Sequence, residues 1–427
     1  MEPTGAVQIL DRYRWIRRVA AIGGRFSVAV VGQLSVSAAH FFASIALLRA
    51  LTPAEFGLFA FMLIIVGLFA ALSNALVATP YTVEANRLGF DDDKSRTLFK
   101  INLIFCAFAG LICAGIAYAM HTGIAALFFG IYVFLVTLRW FARAHAYAMH
   151  LPVRVARMDI AYACLLLGNL AWIWIVHELT LTTAMAAFVA AAAASLLTSG
   201  KAFFKLQFVE AFAGRLREYS PVWRNQSRWT LLGSVTTEAT SNAYAYLVTF
   251  IAGPAAFAPL AAAALFMRPN SLSSHSLMQL ERPAMTRAIA AGDFAEAMRR
   301  ARHFRWAMLL VWFVTVAGSA VLFLWFPKLV LSDHYDPMVV FEAALLWACI
   351  EAIHAWTVPV SALLQASNRF QILAAVTVWS SIVGFITAFL LLMFFGPTAS
   401  LGGVLAGELY QLYRMIVLRH VWRSAHG

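Results

Sequence analysis

The chain is poor in charge. Of its 427 residues only 12% are Asp, Glu, Lys or Arg, while 62% are hydrophobic and the mean hydropathy is +0.77. Soluble domains carry about 25% charged residues, so a soluble globular protein is excluded. No GxxxxGK[ST] sequence occurs, which rules out ATP hydrolysis by a P-loop. The four cysteines, Cys106, Cys113, Cys164 and Cys349, stand singly in apolar runs without metal-ligand spacing and read as small buried hydrophobes. No paired carboxylates, Ser/His/Asp set or metal-binding His spacing stands out. His145 and His150, five apart beside Arg143, read as a solvated helix end. No short apolar region with a cleavage site follows Arg12, Arg14, Arg17 and Arg18, so no cleaved signal peptide is expected.

What the chain has instead is long apolar runs. A membrane-spanning helix needs about 20 mostly apolar residues. Twelve segments qualify: 24–50, 54–79, 98–120, 122–143, 157–177, 181–203, 223–251, 255–280, 303–327, 338–365, 368–396 and 398–420. With the N-terminus inside and the spans alternating, 29 of the 32 Lys and Arg fall on the inner side and only Arg49 and Lys328 outside. One miscounted helix would invert everything after it, so this asymmetry supports twelve spans with both termini cytoplasmic. It also explains the net charge of +12 by inner-face lipid and topology, without nucleic acid. The outer loops are short, the longest being KLVLSDHYDP near 328–337. They leave no room for the external catalytic domain of a glycosyltransferase or polymerase, so the chain is not expected to be an enzyme.

The sequence is written twice. TPAEFGLFA at 52–60 matches GPAAFAPLA at 253–261 in Pro53/Pro254, Ala54/Ala255, Phe56/Phe257 and Ala60/Ala261. At the same offset Gly32 falls on Gly233 and Ala38 on Ala239. Each copy lies between an upward and a downward span. Six spans on either side of 204–222 give two halves of equal orientation, a parallel repeat of the kind found in transporters. The expected fold is therefore all-α and polytopic: an N-terminal lobe over 1–203, a linker over 204–222 and a C-terminal lobe over 223–427. In the linker, Phe208, Phe212, Leu216 and Tyr219 share one helical face, which predicts an amphipathic helix on the inner membrane surface.

The stretch LLRALTPAEFGLFAFMLIIVGLFAAL resembles the first hairpin of polysaccharide flippases in the multidrug/oligosaccharidyl-lipid/polysaccharide exporter superfamily. FIAGPAAFAPLAAAALFMRP is similar to that family's turn after the seventh helix, although Ala258-Pro259 replaces its usual Gly-Leu. RWFARAHAYAMHLPVRVARMDIAYA is similar to its basic turn after the fourth helix. The resemblance implies two lobes with alternating access in a bacterial cytoplasmic (inner) membrane. It implies a cargo of oligosaccharide on undecaprenyl diphosphate, for exopolysaccharide, capsule or O-antigen assembly. Partners would be the lipid-linked oligosaccharide, membrane lipids and a polysaccharide polymerase or export machinery. No cofactor is expected beyond a coupling proton or sodium ion. An ion-coupled multidrug exporter of the same superfamily is the nearest alternative; a membrane-embedded polymerase or acyltransferase is more remote.

Ionisable residues inside spans are costly and so are candidates for function. On the seventh span Arg228, Glu238, Asn242 and Tyr246 fall within about 80° of one face. Glu238, near mid-membrane, is suited to a coupling proton or cation, or to pairing with a cation on a neighbouring helix. Gln33, Ser37, His40 and Ser44 form a stripe on the first span that could face the seventh or serve helix packing. Arg268, followed by Pro269-Asn270, lies inside the eighth span, where Pro predicts a helix break; it could hold phosphate oxygens or pair with Glu238. Arg25, at the inner end of the first span, joins it as a candidate for the diphosphate. Glu351 and His354 on the tenth span, and Glu408 with Gln411 on the twelfth, are candidates for ion coupling or cavity lining. Glu55 reads as a helix-start carboxylate.

Overall fold

A computed structural model of the chain describes residues 31–87, 92–326, 331 and 334–426, all as helices, turns and short connections; no strand occurs among them. Fourteen helices suffice to follow it. They are α1 (Val31–Ala50), α2 (Pro53–Ser73, continued through a π-helical turn Asn74–Ala78 to Thr79–Arg87), α3 (Asp92–Ala119), α4 (Ala125–Ala148), α5 (Pro152–Ile175), α6 (Leu181–Leu196) and α7 (Lys201–Phe208). Then come α8 (Arg228–Ile251), α9 (Pro254–Phe266), α10 (Arg268–Ala290), α11 (Phe294–Trp325), α12 (Pro337–Ala366), α13 (Phe370–Phe395) and α14 (Leu401–His426). Among the described residues nine helices are long and apolar enough to cross a membrane: α1 to α6 and α11 to α13. The seventh, eighth and twelfth expected spans are α8, the broken pair α9–α10 and α14, and these carry half of the ten candidate site residues.

Local chemistry sets the helix ends. Thr52 and Glu55 form a reciprocal cap at the start of α2: Thr52 N–H and Oγ1 donate to Glu55 Oε2 at 3.1 and 2.8 Å. This is the helix-start role expected of Glu55. Asp293 Oδ1 accepts from Glu296 N–H at 2.8 Å at the start of α11, and Asp336 Oδ1 from Met338 N–H at 2.9 Å before α12. The eighth span breaks at Met267, because Pro269 has no N–H to continue the ladder.

The linker departs from expectation. It is the short α7 followed by two 3₁₀ turns, Glu210–Ala213 and Leu216–Glu218, not one amphipathic helix. Val209 leaves helical geometry, with φ −122° and ψ −62°, and Gly214 is extended. Lys100 Nζ, donating to the carbonyls of Phe212 and Gly214 at 3.2 and 2.9 Å, holds the segment against α3.

The chain forms two compact units. Unit 1 gathers the described residues of Met1–His40, Ser73–His177 and Met185–Ser227; unit 2 gathers those of Phe41–Leu72, Glu178–Ala184 and Arg228–Gly427. The core of unit 1 is aromatic, built on Tyr81, Phe99, Phe141 and Phe203. His145 lies in it, buried, its Nδ1 2.8 Å from the Tyr81 hydroxyl. The sequence reading of His145 and His150 as a solvated helix end is thus corrected for His145, which is buried like the neighbouring Arg143, while His150 is exposed. In the same unit, the π-helical turn of α2 holds Leu76, whose carbonyl accepts from side chains of the following segment. Tyr219 and Ser227 hydroxyls donate to it at 2.8 and 3.2 Å.

In unit 2 the two copies of the repeated turn meet. A Cβ on Gly57 would lie 1.9 Å from the Pro254 carbonyl oxygen, so α2 and the start of α9 approach at a distance only glycine permits. Phe56 and Phe257 are buried beside this contact, and Phe61 stands edge-on to Phe257 with ring centres 6.5 Å apart. The unit's core is Met285, Phe304, Met308, Leu363, Met415 and Trp422.

Candidate functional site

Two polar clusters lie inside the helices, one in each unit. In unit 2, Asn270 of α10, Glu351 and His354 of α12 and Glu408 of α14 converge. The break at Met267 makes Asn270 an early residue of α10, and it is fully buried. Glu351 and His354 are three apart and share a helix face. Asn270 Nδ2 donates a short hydrogen bond to Glu351 Oε2. His354 bridges the two carboxylates, with Nδ1 3.5 Å from Glu351 Oε2 and Nε2 3.1 Å from Glu408 Oε1. Both glutamates are buried, at 6% and 8% exposure. Glu408 Oε2 and Asn270 Oδ1 have no hydrogen-bond partner among the described residues. Two carboxylates and an imidazole held together in an apolar interior offer a place for a proton or a monovalent cation, whose charge would offset theirs. Three sequence candidates, Glu351, His354 and Glu408, are thus brought together; Asn270 was noted only as the neighbour of Pro269.

Glu238 stands apart from this cluster. Asn242 Nδ2, one turn along α8, donates to its Oε2 at 2.7 Å. No cation lies within 4 Å of Glu238 among the described residues, so neither Arg268 nor a neighbouring helix supplies the pairing that the sequence left open. Glu238 lines a cavity of about 390 Å³ with Leu68, Val235, Tyr246, Phe250 and Phe385, an apolar and aromatic wall with a single carboxylate. Arg228 begins α8, exposed, its guanidinium 4.7 Å from the ring centre of Trp229. Arg268 is half-buried at the start of α10, without a carboxylate partner among the described residues. Arg25 lies outside the described residues.

The cluster in unit 1 escaped sequence reasoning. Arg139 and Arg143 of α4 flank Asp159 of α5; all three are buried, and Asp159 is fully so. Arg139 Nη2 is 2.5 Å from Asp159 Oδ1, and Arg143 Nη2 is 3.2 Å from Oδ2. Arg143 also donates to Gln33 Oε1 of α1 at 2.6 Å. The Arg139 guanidinium stacks 4.3 Å from the ring centre of Tyr162. The Tyr162 hydroxyl lies 2.9 Å from that of Tyr132 and 3.1 Å from His40 Nε2. Gln33 and His40 of the first-span stripe are bonded to α4 and α5 of their own unit, the helix-packing alternative for that stripe. Four residues separate Arg139 from Arg143, so both lie on one face of α4. Asp159 lies inside the fifth expected span, opposite in charge to Arg139 and Arg143 at the end of the fourth, a signal in the sequence that could have singled out this triad.

No protein-family model matches the chain, and no curated protein does. Solved structures do. An inward-facing multidrug resistance MATE family transporter of the MOP superfamily superposes with a TM-score of 0.66 at 12% identity, over 93% of this chain and 98% of that one. The lipid II flippase MurJ, in an inward closed conformation, gives 0.69 at 10% identity, over 92% and 87%. A MOP superfamily transporter from Pyrococcus furiosus gives 0.58 at 11%, over 94% and 95%. At such identities the likeness establishes the fold, and it agrees with the resemblance carried by the two turn sequences. The chain is a multi-pass membrane protein with the all-α, twelve-helix, two-lobe fold of the MOP superfamily transporters.

Proposed function

We propose that the chain is a secondary transporter that flips an oligosaccharide carried on a polyprenyl diphosphate across a bacterial cytoplasmic membrane, for the assembly of exopolysaccharide, capsule or O-antigen. The halves 1–203 and 223–427 alternate access around the cargo while its lipid tail stays in the bilayer. The observation that carries the coupling half of this reading is the buried Asn270–Glu351–His354–Glu408 cluster. Four polar side chains from three helices are costly in an apolar interior. Their chemistry suits a proton or sodium ion taken up on one side and released on the other. Arg268 supports an anionic cargo: its planar guanidinium, unpartnered by carboxylate in a broken span, suits diphosphate oxygens. Arg25, Arg228, Asn242 and Gln33 complete the candidate contacts with cargo, and Glu238 and His40 the candidates for coupling. A polysaccharide polymerase would take up the flipped product.

One observation favours a second reading, an ion-coupled multidrug exporter. The apolar cavity with Glu238 in an aromatic wall fits a lipophilic cation. The two are separated in vesicles holding the purified protein under an imposed pH gradient. One set contains a fluorescent polyprenyl-diphosphate oligosaccharide and the other is given tetraphenylphosphonium. Gradient-driven movement of the lipid-linked sugar without movement of the cation is expected; the converse would replace the flippase with an exporter.

A further inference from the structure

The inner end of unit 2 holds a third group of cations, which neither the transport fold nor the coupling cluster uses. Arg305 of α11 is buried, at 9% exposure. Its guanidinium stacks 4.5 Å from the ring centre of Trp356 of α12. Among the described residues nothing accepts a hydrogen bond from it and no carboxylate pairs with it; Nε is sealed from solvent without a partner. Its electrostatic neighbours are two further arginines, Arg302 and Arg419. Arg302 lies one turn back on α11. Arg419 lies on α14, brought near because Phe304 and Met308, next to Arg305 and one turn from it, share a core with Met415 and Trp422, each about one turn from Arg419. Three guanidiniums therefore gather on two helices with only mutual repulsion among them. The other cations of α11 are different: Arg299 and Arg300 pair with Glu296 at 2.7 and 2.9 Å, and Arg300 also reaches Glu281.

The depth of the group is legible from α11. After Arg305 the helix runs from Trp306 to Trp325 without a charge. At about 1.5 Å per residue that run is about 30 Å long, the thickness of a hydrocarbon core. Arg305 thus stands at the boundary where headgroups begin. Trp306 and Trp356, exposed at 65% and 43%, flank it, as aromatic residues do at membrane interfaces.

We infer that Arg302, Arg305 and Arg419, with Trp356, form a site for the phosphate of an anionic phospholipid in the inner leaflet. A phosphate would satisfy the forked donors of Arg305 and relieve the repulsion among the three cations. Trp356 would hold the guanidinium flat at the entrance. This inference does not rest on the transport reading; a resident lipid here would stabilise α11, α12 and α14 whatever the cargo.

The test uses the full chain, purified and offered phosphatidylglycerol or phosphatidylcholine, with bound lipid counted by native mass spectrometry. The protein should retain phosphatidylglycerol in preference. Each cation removed should cut that preference roughly five-fold, so Arg305→Gln and the double variant Arg302→Gln/Arg419→Gln should both lose it. Arg299→Gln, which breaks only an exposed pair with Glu296, should keep it. If Arg305→Gln does not fold, the double variant decides alone, since it leaves the buried Arg305 stack in place. An unchanged preference in the folded variants would overturn the site. Displacement of the lipid by millimolar inorganic phosphate would also overturn it, by assigning the cluster to a soluble anion.

Discussion

Replacing Asp159 by Asn puts the strongest strain on the account of unit 1. The carboxylate is fully buried between two buried arginines, with contacts of 2.5 and 3.2 Å. The amide keeps its shape and removes its charge, so Arg139 and Arg143 become two like charges in an apolar helix interface. Breaking a buried ion pair by removing one partner costs about 3–5 kcal/mol. Each kcal/mol lowers the melting temperature of a domain of about 200 residues by about 2–4 °C, so Asp159→Asn should melt about 10 °C below the parent protein in detergent. Thermal unfolding followed by tryptophan fluorescence reads this directly. Combining it with Arg143→Gln should recover part of the loss, because one of the two uncompensated charges is gone. The non-additivity should be about 1–3 kcal/mol, as expected of residues in one network. A single variant that melts within about 1 °C of the parent, or a double variant whose loss is the simple sum, would refute the claim that Asp159 neutralises the two arginines.

Gly57→Ala should destabilise unit 2 by about 1–3 kcal/mol, because its Cβ would overlap the Pro254 carbonyl at 1.9 Å. Gly67→Ala on the same helix meets open space and should be neutral or stabilising by up to about 1 kcal/mol; equal effects of the two in thermal unfolding would contradict the close contact of the repeated turns. His354→Gln keeps a hydrogen-bonding side chain between Glu351 and Glu408 but cannot carry a proton. With both proteins inserted in equal amount, it should remove the dependence of transport on an imposed pH gradient; gradient-driven transport at the parent rate would take His354 out of the coupling mechanism. Tyr219→Phe removes the hydroxyl that caps the Leu76 carbonyl and should cost about 1 kcal/mol in the same melting assay.

Much of this architecture is legible from hydropathy and charge, because the bilayer imposes both. Apolar runs mark the membrane-spanning helices. The helix break beside Arg268 follows from Pro269, and the cap at α2 from Thr52 and Glu55 at capping-box spacing. Glu351, His354 and Glu408 are recognisable one by one as costly charges within spans. That they meet is set by the packing of α12 on α14, which leaves no mark at sequence distance. Asn270 was passed over because amides in spans cost less and are commoner than charges. The Arg139–Asp159–Arg143 triad was hidden for a different reason. Assigning every cation near a span end to the solvated inner face explains Arg139 and Arg143 too well, and only the matching carboxylate on the next helix corrects it. The linker failed as one helix because its apolar spacing is helical while Val209 and Gly214 leave helical geometry.

The most direct test of the proposed function is the rate at which a fluorescent polyprenyl-diphosphate oligosaccharide crosses the membrane of vesicles containing the purified chain, measured for the parent protein and for Arg268→Ala under the same pH gradient. The account predicts gradient-driven flipping by the parent protein. It predicts a fall to the rate of protein-free vesicles for the variant, with both proteins inserted in equal amount. Flipping by Arg268→Ala at the parent rate would contradict the diphosphate role of Arg268, and no flipping by the parent protein would contradict the flippase itself.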